Sequence, residues 1–126
     1  RLRTLMRLKP EHAHAYNALG YSFAERNQRL EEAEQLVVKA LQLSPDDPFI
    51  IDSMGWVLYR KGDNQGALTH LQRAFSIRPD PEISAHLGEV LWALGRRDEA
   101  KRIWQEAAKA HPGNEVLAEV IKRFAP

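Results

Sequence analysis

Five histidines, His12, His14, His70, His86 and His111, are the side chains of this chain best suited to acid–base or metal chemistry. Only His12 and His14 are close in sequence, and a two-residue step along a helix turns side chains to different faces. No pair therefore offers two imidazoles to one metal ion, and all five read as solvent-facing polar groups. The closest acidic pairs, Glu31 with Glu32 and Asp98 with Glu99, open helical segments, where negative charge meets the positive end of the helix dipole. No glycine-rich phosphate loop, metal-ligand cluster or nucleophile motif occurs. Arg96, Arg97, Lys101 and Arg102 form the densest basic cluster, but Asp98 and Glu99 interleave with them, as on a solvated, ion-paired face. The expectation is a protein with no enzymatic activity and no metal or other cofactor.

A second pattern is aromatic. Phe49, Asp52, Trp56 and Tyr59 stand at i, i+3, i+7 and i+10, with Arg60 adjacent, so they form one helical stripe. The same segment carries a second stripe, Ile51, Met54, Gly55 and Leu58. A helix whose core stripe is already filled has aromatic surface to spare, so this second stripe, Trp56 included, is expected to face outward.

Bulk properties limit the partners. The 126 residues are 44% hydrophobic and 28% charged, with a formal net charge of +1. That balance gives no field of one sign to steer the molecule to nucleic acid or to an anionic membrane, so partners must be recognised locally. Absence of cysteine removes disulfides, thiol catalysis and cysteine-rich zinc sites, and leaves the compartment open. No apolar run approaches the roughly 20 residues of a membrane span. The chain opens on Arg1, which suggests a piece of a longer protein.

The elements that position these residues follow from an internal repeat. Prolines follow apolar helical runs at Pro10, Pro45, Pro79 and Pro112, at spacings of 35, 34 and 33 residues. On this register "YNALGYSF" (16–23), "IDSMGWVL" (51–58) and "SAHLGEVL" (84–91) superimpose. The second halves match as well, with Ala33, Ala67 and Ala100 at equivalent positions. Each unit is expected to be a helical hairpin, broken at "RNQR", "KGDN" or "LGRR". Glycine within a helix costs on the order of 1 kcal/mol relative to alanine. Gly20, Gly55 and Gly88 are accounted for if each lets its helix approach the small alanine of its partner.

A unit of this length, with Leu-Gly or Met-Gly, a large residue, then alanine and a closing proline, resembles the tetratricopeptide repeat. The match covers nearly the whole chain. It implies an all-α superhelix of helix-turn-helix units: residues 1–10 as the end of a preceding repeat, repeats at 11–45, 46–79 and 80–112, and a closing helix in 113–126. The first repeat has one extra residue in its inter-helix turn. The third lacks one between Pro79 and Gly88 and carries Ser84 where a bulky residue is usual, so its first helix is expected to start late or to pack less tightly. The closing segment "NEVLAEVIKRF" begins with Asn114, a good N-cap, and places Val116, Val120 and Phe124 on one face with Leu117 and Ile121 beside it.

In this family the first helices line a concave surface that holds a peptide. The resemblance thus implies that Asn17, Tyr21, Asp52, Trp56, Tyr59, Arg60, Glu89 and Trp92 face a groove for a protein or peptide partner. Chaperone-binding members hold a C-terminal carboxylate with lysine, arginine and asparagine at positions matched here by Asn17, Tyr21, Ser53, Glu82 and His86. Only Asn17 is of a suitable type and Glu82 would repel a carboxylate, so an uncharged or mildly basic segment fits better. Pentatricopeptide hairpins bind RNA through a positive groove, which this sequence does not supply. "PDDPFIIDSMGWVLYR" and "RPDPEISAHLGEVLWALGR" also resemble the C-terminal repeats of Gram-negative outer-membrane tetratricopeptide lipoproteins, some of them adaptors of a periplasmic processing protease. That likeness implies a periplasmic location, with a cytoplasmic one as the alternative; with no apolar span, these residues are not expected to insert into a membrane themselves. The competing expectation is a structural end-cap or a module for weak self-association, with no ligand of its own.

Overall fold

A computed structural model describes residues 12–126. The proposed tail of a preceding repeat, residues 1–10, lies outside the described residues. The described chain forms seven helices: α1 Ala13–Glu25, α2 Leu30–Leu43, α3 Pro48–Arg60, α4 Asn64–Ile77, α5 Pro81–Ala93, α6 Arg97–Ala110 and α7 Glu115–Phe124. No strand occurs among the described residues.

Local chemistry sets the helix starts. Asp47 accepts from the backbone N–H groups of Phe49 and Ile50, with Pro48 as the first helical residue, and Asp80 and Pro81 repeat the device at α5. The aspartate satisfies orphan donors while proline supplies a preset φ and lacks an N–H that the first turn could not pair. Asp63 caps α4 through Gly66 N–H, and Asn114 caps α7 through Leu117 N–H. Turns within the second and third hairpins use Gly62 and Gly95 at φ +95° and +84°. The first hairpin, with its extra residue, reverses instead through Asn27 and Arg29 at positive φ.

Consecutive helices pack as antiparallel pairs, and each hairpin packs on the next. The first helices also touch one another directly, α1 on α3, α3 on α5 and α5 on α7, whereas α2, α4 and α6 meet only through them. This asymmetry curves the array into a superhelix with the first helices inside.

Glycine permits the close hairpin approach, with one difference among the three. A β-carbon on Gly20 would lie 2.9 Å from the Ala33 carbonyl oxygen, and one on Gly55 would lie 3.2 Å from that of Ala67 and 2.8 Å from Leu71 Cγ. At Gly88 the nearest group is Trp104: a β-carbon there would fall 2.0 Å from the indole Nε1. Trp104 is wholly buried and donates Nε1–H to the Ala85 carbonyl at 3.3 Å, so the third hairpin is filled by an indole where the others use smaller groups.

Two expectations at the C-terminal end change. α5 does not start late: Pro81 stands seven residues before Gly88, as Pro48 does before Gly55, and the missing residue is taken from the linker. Ser84 is buried beside a cavity of about 200 Å³ between α4, α5 and α6, with its hydroxyl lacking a hydrogen-bond partner. On α7 the packed residues are Leu117, Val120 and Phe124, while Val116 is 45% exposed. The chain's exit from α6 turns Val116 away from the last hairpin and toward the inner face.

Candidate functional site

The inner face holds a cavity of about 430 Å³. Tyr21 and Glu25 of α1, Trp56 of α3, Glu82, Ala85, His86 and Glu89 of α5, and Glu115, Val116, Glu119, Val120 and Arg123 of α7 line it. The first helices of all three hairpins thus contribute, together with the closing helix α7.

Trp56 is the centre of the site, but it is not open to solvent. It is 6% exposed, because α1 and α5 close over it. His86 stacks on its ring with centroids 4.0 Å apart, its Nε1–H donates to Glu25 at 3.0 Å, and the Arg60 guanidinium sits 5.8 Å from its centroid. The spare aromatic surface of α3 is therefore consumed by neighbouring repeats, and the expectation of an outward-pointing Trp56 is corrected to a covered floor residue. Phe49, on the same stripe, remains 40% exposed with Arg78 over its ring.

The histidines are not all solvent-facing either. His86 is buried, with Nδ1 2.9 Å from Asp52 Oδ1 and Nε2 3.4 Å from the Tyr21 hydroxyl. The Tyr21 O–H donates to Glu82 at 3.1 Å. A carboxylate only accepts, so Nδ1 must donate to Asp52. With the Tyr21 hydrogen directed to Glu82, the Tyr21 oxygen can accept from Nε2, so the surroundings accommodate an imidazolium. Burial is the largest influence on His86 and opposes that charge; the fields of Asp52, Glu82 and Glu25 and the Asp52 hydrogen bond outweigh it and raise the pKa. Tyr21 is held neutral well above the usual phenol range, by burial first and then by Glu82 and Glu25. For Tyr59, burial and then the Glu89 carboxylate push the pKa up to about 12.

The remaining expected groove residues separate into three groups. Tyr21 and Glu89 line the cavity with Trp56, and Asp52 lies beneath them, behind His86. Glu89 is 7% exposed and accepts from both the Tyr59 hydroxyl at 3.2 Å and Arg123 at 3.1 Å. Tyr59 and Arg60 act as bridges: Arg60 donates Nε–H to the Ala24 carbonyl at 3.0 Å, tying α3 to α1. Asn17 and Trp92 do not reach the cavity. Asn17 Oδ1 is buried without a partner, and Trp92 stacks with Trp104 at 5.8 Å and meets Phe124 at 5.8 Å. Sequence reasoning missed Glu25, Glu119 and Arg123, and it placed His86 at a groove position without its burial or its partner. The signal for His86 was its place on α5, one turn before the Glu89 already assigned to the groove, but its partner Asp52 lies 34 residues away. Among the described residues no group of three or more metal-ligating side chains gathers, and no helix is long and apolar enough to cross a membrane.

With this geometry in place, comparison with known proteins decides the family. Tetratricopeptide repeat models match residues 58–123 and residues 1–48. The chain belongs to the tetratricopeptide repeat family. It is 49% identical over 88 residues to TPR repeat-containing protein PA4667 of Pseudomonas aeruginosa, a match covering 70% of this chain and 15% of that protein. It is 29% identical over 80 residues to small glutamine-rich tetratricopeptide repeat-containing protein 2 of Mycosarcoma maydis, covering 63% of this chain and 23% of the relative. The chain thus spans under a quarter of either relative. Among solved structures, the Thermus thermophilus tetratricopeptide protein TTC0263 superimposes with a TM-score of 0.81 at 24% identity, over 98% of this chain and 68% of that one. The first tetratricopeptide domain of Spaghetti (RPAP3), bound to the HSP90 peptide SRMEEVD, gives 0.78 at 16% identity, over 94% of this chain and 96% of that one. These likenesses establish the fold as a tetratricopeptide superhelix.

Proposed function

We propose that this chain is a protein-interaction module that holds a segment of a partner protein in the groove bordered by α1, α3, α5 and α7. The observation that carries the reading is the 430 Å³ cavity on the inner face, walled by Tyr21 and Trp56 and by charged side chains from separate repeats. Concave sites of this size, with an aromatic floor and convergent polar groups, suit a few anchoring side chains of a partner. Structural neighbours include a tetratricopeptide domain bound to an HSP90 peptide, which supports a peptide-holding role for the same surface. Repeats of this family generally act as non-enzymatic interaction modules, in keeping with the absence of a catalytic motif in the sequence. A finer role, adaptor or scaffold of a periplasmic protease complex, rests on the lipoprotein resemblance, and the 49% likeness to a Pseudomonas protein supports a bacterial setting.

Photo-crosslinking tests the reading. A benzophenone amino acid in place of Val116, which is exposed at the groove, should crosslink to a partner segment in a Gram-negative envelope extract, and the adduct can be sequenced by mass spectrometry. The same group in place of Val38, exposed on α2, should not yield that adduct. Equal labelling from both positions, or none from position 116, would count against the groove. One observation favours the end-cap alternative: Phe124 of α7 packs on Trp92 and Trp104 and covers the last hairpin. Concentration-independent mass in light scattering would leave that helix a cap and remove self-association.

A further inference from the structure

Five carboxylates line the cavity, Glu25, Glu82, Glu89, Glu115 and Glu119, against one guanidinium, Arg123, and one imidazole, His86, which is cationic only when protonated. Both basic groups are already committed. His86 is paired with the underlying Asp52 at 2.9 Å, and Arg123 with Glu89 at 3.1 Å. Glu119 has only a longer contact with the same Arg123, at 3.7 Å.

Two of the others are held by neutral donors. Glu25 accepts from the Trp56 indole at 3.0 Å and Glu82 accepts from the Tyr21 hydroxyl at 3.1 Å. Such bonds fix a carboxylate in place without cancelling its charge. No lysine or arginine among the described residues pairs with Glu25, Glu82 or Glu115. Like charges gathered from α1, α5 and α7 repel, and the wall lowers that repulsion when a cation enters from outside. Tyr21 adds a half-buried ring beside Glu82, a surface suited to the stem or the face of a basic side chain.

We propose that the occupant of this groove is a basic partner segment, which seats an arginine or lysine side chain between Glu25, Glu82 and Glu119 with its stem against Tyr21. The inference rests on the groove reading given above and specifies its ligand. An acidic segment or a free C-terminal carboxylate would meet the same wall as a repulsion, so selection works in both directions.

Fluorescence polarisation on the folded chain tests it, with three labelled decapeptide libraries of equal length: a fixed central arginine, a fixed central glutamine and a fixed central glutamate. The arginine library should bind tightest. Loss of two exposed ion pairs in Glu82→Gln with Glu119→Gln should weaken it by roughly two- to thirtyfold, and raised salt should weaken it further. Glutamine at position 82 keeps an acceptor for the Tyr21 hydroxyl. A Glu106→Gln control on α6, away from the groove, should leave binding unchanged.

If the glutamine or glutamate library binds at least as well, the cationic ligand is wrong and the groove reading stands. If no library binds, both fail. Equal loss in the Glu106→Gln control would show attraction to net charge alone and overturn the proposal.

Discussion

The imidazole of His86 lies on the indole of Trp56 with an interplanar angle of 21° and centroids 4.0 Å apart, joining the second and third hairpins face to face. This stack makes Trp56 part of the array's cohesion. Trp56→Ala should therefore cost about 3–5 kcal/mol, as truncation of buried aromatics does. Guanidinium denaturation measures it, and a change under 1 kcal/mol would mean that the ring is not buried in solution.

The same pair sets a pH dependence. The pKa of His86 is raised on folding by Asp52, Glu82 and Glu25 against the opposing effect of burial, so the charged form is the stabilised one. The contribution is complete below the unfolded pKa, about 6.5, and is lost as pH rises through the folded value. Tyr21 faces His86 as well and stays neutral throughout that range. Unfolding free energy measured from pH 6 to pH 9 should decline, and the decline should be smaller in His86→Gln.

Glycine substitutions should rank by what their new methyl group meets. Gly88→Ala drives a β-carbon into the fully buried Trp104 ring, at 2.0 Å from Nε1, and should cost about 3 kcal/mol. Gly55→Ala meets the buried Leu71 at Cγ, 2.8 Å away, and the Ala67 carbonyl oxygen at 3.2 Å, milder contacts than the indole, and regains some helix propensity; a smaller net loss of about 1–2 kcal/mol is expected. Thermal melts of the two variants check the order.

Ser84 offers the opposite sign. Its hydroxyl is buried and unpaired beside the 200 Å³ cavity, so Ser84→Ala removes a desolvated polar group. The variant should be as stable as the parent or up to about 1 kcal/mol more stable in denaturant titrations.

Arg123 fastens α7 to the groove through Glu89, and the pair is half exposed on the arginine side. Arg123→Ala should cost about 1 kcal/mol, reduced by solvent screening. Faster amide exchange confined to α7 would show the fastening; exchange unchanged there would mean that Leu117, Val120 and Phe124 hold the helix alone.

The sequence by itself determined the repeat and much of the local architecture. A period near 34 residues, the Asp-Pro helix starts at Asp47 and Asp80, and the small residues at Gly20 with Ala33 and Gly55 with Ala67 all act within one hairpin. Helix periodicity, capping and close hairpin contact depend on neighbours only a few to a dozen or so residues away. Tertiary structure alone decided the site. Tyr21 and His86 are 65 residues apart and Asp52 and His86 are 34 apart, and they meet only because successive hairpins stack at one particular rotation. That rotation closed α1 and α5 over Trp56, left Val116 facing the groove and brought carboxylates from three helices to one wall. Nothing in the periodicity of a single helix records which side chains of other repeats will cover it, because stacking geometry is set by the sum of all contacts between hairpins.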